Sequence, residues 1–278
     1  MLPVLDHVVI DVQDRIDEGA RRYQALGFRL TDRGRHTMGS VNHLAMFGTD
    51  YLELLGTGEP GSPVRQELAG FPVGLNGLVF KLKEAAAYQA ELKRAGLPVL
   101  PVNSFSRPLM LNGKQEEARF NTVRLEPRSV FDGRVYFCEH LTPQFVWRPE
   151  WQNHPNGALA VTRLLLAAQD PARVVEPFVR MFGADAVATN PDGSRVLQAG
   201  TARVEIVPAA TLLGTLRDFA PEASGRASYL ALLGLRVRSL QSTEQTLRAG
   251  GITAMQRRGA TLRVSPREAM NTTLEFTE

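Results

Sequence analysis

The chain has 278 residues, 44% of them hydrophobic and 22% charged, with a formal net charge of +3 and one cysteine. This length favours two domains, and the absence of a dense Lys/Arg cluster excludes nucleic acid and anionic membranes as expected partners, while a small-molecule substrate remains compatible. No apolar run approaches the roughly 20 residues of a membrane span, no signal-peptide pattern is found, and the single cysteine excludes an internal disulfide, so we expect a cytoplasmic protein.

A first module is predicted over residues 3–57. Leu5 to Ile10 forms a short apolar strand that contains His7. A helix follows, and then three strands, of which the last, Asp50 to Leu55, carries Glu53 in an apolar setting. Because a strand has a period of two, each of these side chains can point to one chosen face. An imidazole and a carboxylate would then meet in one cavity if the two strands share a sheet.

The order strand, helix, strand, strand, strand recurs three times. We place the second module at residues 74–147, the third at 158–208 and the fourth at 227–278. Glutamates between apolar residues recur in the closing strands at Glu53, Glu205 and Glu275. A repeat of about 60 to 80 residues fits a duplicated half-domain rather than a solenoid unit. We therefore predict two domains, residues 1–147 and 157–278.

The second module contains a polar segment, Asn103 to Glu117, that we predict to be a loop or lid over the first cavity. Arg107, Lys114 and Arg119 lie in or beside it and would meet an anionic substrate if they face the cavity. A solvated loop face is the default interpretation of the same charges.

Several sequence motifs resemble the vicinal oxygen chelate superfamily, which includes glyoxalase I, the bleomycin-resistance proteins and the extradiol dioxygenases. They are the first strand Leu5-Asp6-His7-Val8-Val9, the helix exit Ala25-Leu26-Gly27-Phe28 and the closing strand Tyr51-Leu52-Glu53-Leu54. Residues 5–56 and the segment His154-Pro155-Asn156-Gly157-Ala158 resemble in particular the glyoxalase-like domain family. The resemblance implies an α+β fold of four βαβββ modules, paired into two glyoxalase-like domains with cupped mixed sheets.

The resemblance also implies a divalent metal ion (Zn, Fe, Mn or Ni) in the first domain. His7 matches the first-strand ligand of the family and Glu53 the last-strand ligand. The second module has Gly77 where a histidine is expected, so one ligand is missing.

A replacement ligand should come from Tyr136 to Pro143. If this segment is the closing strand, either Glu139 or His140 faces the cleft, because a regular strand cannot aim both at one face. If it is the third strand, an apolar residue takes the carboxylate position. We favour His140, because His7, Glu53 and His140 form a two-histidine, one-carboxylate set.

These residues suggest a metal-dependent enzyme acting on a small substrate with vicinal oxygens, of lyase, isomerase or dioxygenase type. Glu53 or Glu139 would be the catalytic base. The alternative is a metal-free protein that binds or sequesters a small molecule, as the bleomycin-resistance proteins do, and Gly77 supports it. Because Glu205 and Glu275 repeat the context of Glu53, a structural role for these glutamates is also open.

The second domain has no histidine after His154, so we expect no metal site there. It would be a structural element, the contact surface of a homodimer or a decayed copy of the first domain.

Overall fold

The computed structural model describes residues 2–58, residue 68 and residues 70–278, and their strands form two eight-stranded mixed sheets. The first sheet contains β1 (Leu5–Gln13), β2 (Gly34–Arg35), β3 (Val41–Met46), β4 (Tyr51–Gly56), β5 (Gly74–Leu82), β6 (Asn103–Leu111), β7 (Lys114–Arg124) and β8 (Arg134–His140). The second sheet contains β9 (Ala158–Ala168), β10 (Val187–Thr189), β11 (Arg195–Ala199), β12 (Ala202–Pro208), β13 (Ser228–Val237), β14 (Met255–Arg258), β15 (Thr261–Val264) and β16 (Thr273–Thr277).

Five α-helices accompany the strands in the described part of the chain. They are α1 (Ile16–Ala25), α2 (Ala85–Arg94), α3 (Pro171–Phe182), α4 (Ala209–Leu216) and α5 (Leu240–Ala249). None of the helices in the described ranges is long and apolar enough to cross a membrane.

Both sheets have the same topology. The strand order is β2-β3-β4-β1-β5-β8-β7-β6 in the first and β10-β11-β12-β9-β13-β16-β15-β14 in the second. In each module the first strand pairs in parallel with the last, and the first strands of two modules pair antiparallel at the centre of the sheet. The predicted α+β fold of four βαβββ modules is therefore confirmed.

The polar segment of the second module is an antiparallel hairpin of β6 and β7, so the prediction of a loop was wrong. The turn is Asn112-Gly113, where both residues have positive φ, 50° and 76°. Asn-Gly between two strands is a strong signal for a two-residue hairpin turn, because both turn residues must adopt positive φ. The hairpin pairs through β7 with β8, and β8 pairs in parallel with β5, which makes Arg134–His140 the closing strand of the second module.

The two faces of the first sheet pack against different partners, as strand alternation requires. Val8 and Ile10 belong to the larger apolar core, together with residues of the helices. Val9 belongs to a second apolar cluster on the opposite face, with Tyr51 and Phe120. The candidate cavity lies on this second face.

The helix-bearing faces of the two sheets share one continuous core. Phe80 of β5 packs against Phe178 of α3 with ring centroids 6.5 Å apart. In the same core, the Tyr23 hydroxyl of α1 donates a hydrogen bond to the carbonyl of Ala269 at 3.2 Å. Each sheet therefore depends on helices and loops from the other half of the chain.

His154 attaches the segment between the two sheets to the first sheet. Its Nε2 lies 2.8 Å from the carbonyl oxygen of Met46, and its Nδ1 lies 3.0 Å from the backbone nitrogen of Arg29. Both ring nitrogens are satisfied if Nε2 donates and Nδ1 accepts, and burial lowers the pKa of this histidine. His154 is thus a structural hydrogen-bonding residue.

Asp50, just before β4, also connects the two halves of the chain. Its carboxylate accepts a hydrogen bond from the backbone N–H of Val161 in β9 at 2.8 Å, and it is 2% exposed. Burial raises the pKa of Asp50 from 3.8 to about 6. An acid with a raised pKa keeps its proton in the folded state after the unfolded chain has released it, so stability falls as pH rises through this interval.

We predict that Asp50→Asn stabilises the protein near neutral pH by about 1–3 kcal/mol, since about two pKa units correspond to at most about 3 kcal/mol. The amide oxygen still accepts from Val161, while the buried charge is gone. Urea denaturation should show that the wild type loses stability between about pH 4 and pH 6 and that the variant does not. Asp218→Asn, at an exposed aspartate, is the control. A variant that is less stable than the wild type at both ends of this pH range would contradict the prediction.

An ion-pair cluster lies at the centre of the second sheet. Arg163 of β9 donates from Nη2 to Glu205 at 2.7 Å and from Nη1 to Glu275 at 2.8 Å. Arg203 and Arg263 bind the outer sides of the same two carboxylates. Although burial raises the pKa of Glu205, its hydrogen bonds and ion pairs with the arginines lower it below its ordinary value.

Helix α4 covers the face of the second sheet beside this cluster. Its Leu212 and Leu216 pack on Leu165 and Leu232, and the Thr215 carbonyl accepts a hydrogen bond from Arg263. The ion pairs are therefore largely shielded from solvent.

Arg163→Ala is expected to destabilise the protein by about 2–4 kcal/mol, because it leaves two buried carboxylates with fewer partners. The difference should shrink as pH falls below the ordinary glutamate pKa of 4.5, where protonation removes the charges that the arginine neutralises. Arg248→Ala is the matched control, since Arg248 forms an exposed pair with Glu244 within one helix and should contribute under about 0.5 kcal/mol. Equal losses for the two variants in urea denaturation would refute this assignment.

Candidate metal centre and cavity

A β-bulge in β1 brings Asp6 and His7 to one face of the first sheet. Leu5 pairs with Phe80 and His7 with Val79, so Asp6 is an extra residue in β1. A bulge interrupts strand alternation, and the two residues that oppose one partner no longer point to opposite faces. The side chains of Asp6 and His7 accordingly contact each other.

The hydrogen bonds of His7 determine which of its nitrogens faces the cavity. Nδ1 lies 2.7 Å from Oδ2 of Asp6, so Nδ1 carries the proton and Nε2 has the lone pair. Nε2 is 3.3 Å from the hydroxyl of Tyr136 and 3.6 Å from Oε2 of Glu53. The ring is stacked on Tyr51 with centroids 4.3 Å apart, and the side chain is 4% exposed. This histidine is held in one orientation and one tautomer.

Asp6 is fully buried and has three polar partners. Besides His7, Nε2 of His140 lies 3.0 Å from Oδ2, and Nζ of Lys81 lies 3.1 Å from Oδ1. Burial alone raises the pKa of Asp6, but the interactions with His140 and His7 outweigh it and hold the pKa well below its usual range. Asp6 is therefore a carboxylate, and its Oδ2 fixes both imidazoles.

Glu53 lies opposite His7, where the sequence places it. Its Oε1 accepts a hydrogen bond from Nδ2 of Asn42 at 2.6 Å, which leaves Oε2 directed toward His7. His36 is close by, with Nε2 3.9 Å from Oε1 of Glu53 and 3.2 Å from Nδ2 of Asn42. No sequence pattern indicates Asn42 as a site residue. His36 lies in a polar turn, which suggests an exposed side chain rather than one near Glu53.

The strand pairing identifies which residue of the second module is equivalent to Glu53. In the first module His7 pairs with Tyr51, and Glu53 follows two residues later. In the second module Gly77 pairs with Arg134, and Tyr136 follows two residues later. Gly77 is thus equivalent to His7, and Tyr136 to Glu53. The sequence did not indicate Tyr136 as a site residue.

Gly77 is required by the packing of the central strands. A Cβ atom at this position would come within 2.6 Å of Cβ of Val9, the residue opposite it on β1. Val9 of the first module therefore leaves no room for a side chain at Gly77, the position in the second module that is equivalent to His7, unless Val9 itself moves.

The donors around His7 fit a metal ion. Two ligand atoms about 2.1 Å from one ion lie about 3.0–3.4 Å apart. The distances of Nε2 of His7 to the Tyr136 hydroxyl and to Oε2 of Glu53 are 3.3 and 3.6 Å, close to this spacing. The donors are an imidazole nitrogen, a phenol and a carboxylate, and Asp6 supplies the hydrogen bond that commonly orients a metal-binding histidine.

The other two predicted site residues have different surroundings. His140 contacts Oδ2 of Asp6, the same oxygen that His7 contacts, and packs against Phe120 with ring centroids 5.2 Å apart. Glu139 accepts a hydrogen bond from Asn121 at 2.8 Å. By strand alternation, the side chains of Glu139 and Asn121 lie on the opposite face of the sheet from their neighbours that line the cavity. The structure thus brings His7 and Glu53 together. His140 contacts Asp6, and Glu139 lies on the face of the sheet away from the cavity.

Asp6, Cys138 and His140 form a second group whose ligand atoms lie within 4.8 Å of one another. Burial raises the pKa of the Cys138 thiol well above its ordinary value, which keeps it protonated. Asp6 already accepts from Lys81 and two imidazoles. This group is better described as a buried hydrogen-bonding network than as a metal site.

A cavity opens above His7 and Glu53, between β3, β4, the β6–β7 hairpin and β8. Its walls are largely apolar, and Phe105 and Phe120 form one of them as a stacked pair at 5.2 Å. A largely apolar surface with polar side chains among the lining residues is typical of a small-molecule site.

The corresponding place in the second sheet is filled by the protein itself. Arg163 pairs with Arg203, and Glu205 follows two residues later, so Arg163 is equivalent to His7 and Glu205 to Glu53. Glu275 is equivalent to Tyr136 by the same rule. The guanidinium of Arg163 therefore lies between the two carboxylates, where the first sheet has its convergent donors.

Comparison with solved structures supports the fold. A hypothetical protein from Staphylococcus aureus has a TM-score of 0.69 at 10% identity, covering 98% of both chains. A mutant of 4-hydroxymandelate synthase from Streptomyces coelicolor has a TM-score of 0.60 at 12% identity, covering 99% of this chain and 92% of that one. A xylose isomerase-like TIM barrel/4-hydroxyphenylpyruvate dioxygenase fusion protein has a TM-score of 0.58 at 15% identity, covering 99% of this chain and 49% of that one.

At such identities these likenesses are evidence of fold alone. No curated protein matches the sequence significantly. The family described as "Glyoxalase-like domain" matches residues 5–182, which include β1 with His7, β4 with Glu53 and the cavity strands. This chain belongs to the glyoxalase-like domain family.

Proposed function

We propose that the protein is a metal-dependent enzyme of the glyoxalase and dioxygenase superfamily, acting on a small substrate in the first cavity. The observation that carries the proposal is that Nε2 of His7 lies 3.3 Å from the Tyr136 hydroxyl and 3.6 Å from Oε2 of Glu53, both close to the spacing of metal ligands. His7, Glu53 and Tyr136 would hold a divalent ion, with Tyr136 in place of the third ligand for which the sequence favoured His140. When bound, the ion supplies Lewis acidity to adjacent oxygens of a substrate.

The protein's own residues orient the reacting groups. Asp6 keeps the proton of His7 on Nδ1, so that the Nε2 lone pair stays directed into the cavity. Asn42 holds one oxygen of Glu53 and leaves the other beside His7. The apolar walls exclude water and strengthen every electrostatic interaction inside.

Glu53 is the better candidate for the catalytic base, since Glu139 faces away from the cavity. Its carboxylate is within the cavity wall and can accept a proton from a carbon next to a carbonyl. The reaction type is open between isomerase, lyase and dioxygenase, since one site geometry serves all three.

A metal-free binding protein is the second candidate. Gly77 and Tyr136 replace a histidine and a carboxylate of the family pattern, and the cavity walls are mostly apolar. For the second sheet we propose a structural role without metal, because the Arg163 guanidinium already neutralises Glu205 and Glu275.

Metal content of tag-free protein tests the proposal. We expect about one Zn, Fe, Mn or Ni per chain in the wild type, and loss of most of it in His7→Ala and in Glu53→Gln, because each removes one of three donors. His43→Ala is the matched control: this histidine bonds the carbonyl of Thr31 at 2.8 Å and does not line the cavity. Metal that stays after either substitution at the site would show that the ion binds elsewhere, and no metal in the wild type even after reconstitution would favour the metal-free candidate.

The role of Asp6 gives a second prediction. Asp6→Asn should lower metal affinity by about 10–100-fold, as loss of a hydrogen bond that orients a metal-binding histidine typically does. The affinity is measured by competition with a chromophoric chelator. Thermal unfolding of the metal-free variant shows whether it still folds. An unchanged metal affinity in a folded Asp6→Asn protein would mean that His7 does not bind the ion through Nε2.

A further inference from the structure

Arg107 of the β6–β7 hairpin is a buried cation in the cavity wall. It is 4% exposed, and it lines both the central cavity and a groove that lies beside it. The hairpin puts Phe105 and Arg107 on one face, and both residues line the cavity together with Phe120, whose ring stacks on that of Phe105.

The side chain of Arg107 has no ion pair or hydrogen bond with any residue of the described ranges, and its Nε is buried without a partner. The other buried arginines differ: Arg134 pairs with Asp11 at 2.5 Å, and Arg163 binds two glutamates. Burial lowers the pKa of Arg107, yet an arginine keeps its proton at neutral pH. A buried, unpaired guanidinium is unfavourable for folding, so Arg107 lowers the stability of the folded protein.

Packing holds Arg107 in this place. A Cβ atom on Gly34 of β2 would clash with Cδ of Arg107 and with the side chain of Asn42. Glycine at this position therefore leaves room for the arginine stem beside the residue that orients Glu53.

The surrounding charges favour an anion. The groove beside the cavity is lined by Arg29, Arg33 and Arg35 with Asp32 as its acidic member, and Arg33 is paired with Asp17. On the cavity side the acidic group is Glu53, whose charge attracts the Arg107 guanidinium although the two side chains form no ion pair. A path lined with cations raises the local concentration of anions.

We propose that the cavity binds a small monocarboxylate with an apolar or aromatic body. Its carboxylate accepts a bidentate hydrogen bond from Arg107, and its body packs against Phe105 and Phe120. The planar fork of arginine matches a carboxylate. The placement of the ligand's other end, toward His7 and Glu53, rests on the proposed function. The contact between the carboxylate and Arg107 needs no metal.

The test uses protein stripped of metal with a chelator, titrated by calorimetry with 3-phenylpropionate, benzoate and hexanoate and with the amide of each acid. We expect at least one acid to bind about tenfold or more tightly than its amide, because a charge-assisted bidentate contact is lost in the amide. Arg107→Gln should remove this difference. Arg119→Gln, at an exposed arginine of the same hairpin, should leave it unchanged.

Stability separates a binding role from a structural one. Without ligand, Arg107→Gln should raise the urea midpoint, since an unpaired buried charge is replaced by a neutral group. The proposal is overturned if no acid binds more tightly than its amide, or if Arg107→Gln keeps the preference for the acid. If the purified protein holds no metal even after reconstitution while acid binding still depends on Arg107, the metal-dependent enzyme is refuted and this inference stands.

Discussion

The buried carboxylate of Asp6 is the constraint on which the first cavity depends. A charge without solvent is tolerated only when several donors converge on it, and here they come from three strands: His7 of β1, Lys81 of β5 and His140 of β8. β1 belongs to the first module, and β5 and β8 belong to the second. The same hydrogen bonds that neutralise Asp6 therefore hold two modules together and fix the imidazole that faces the cavity.

The sequence predicts the fold better than the site. Apolar strands, helices that end near glycine and the recurring order of elements are local patterns, and they carry over directly into the two sheets. Asp6 could not be assigned, because regular alternation puts it on the face opposite His7 and a bulge leaves no sequence pattern of its own. Tyr136 was missed for a different reason: its equivalence to Glu53 follows from strand register, which the sequence of one chain does not specify.

Arg107 illustrates how one error in secondary structure affects a functional interpretation. As part of a loop it would be a solvated charge, and its possible contact with an anion would have little weight. As part of a strand it alternates with its neighbours, so its side chain lies inside with Phe105. The Asn112-Gly113 turn was the available signal, since a two-residue turn implies strands on both sides.

The two sheets use one geometry for different purposes. In the second, a guanidinium from the chain lies between two glutamates and α4 closes the face above it, so charge and space are both satisfied internally. In the first, the equivalent position has a histidine lone pair, a carboxylate and a phenol that line a cavity. A buried arginine in that cavity has no carboxylate of its own, whereas Arg163 has two. Because folding alone would favour a paired guanidinium, as in the second sheet, the unpaired side chain of Arg107 is the feature that the proposed anionic ligand would explain.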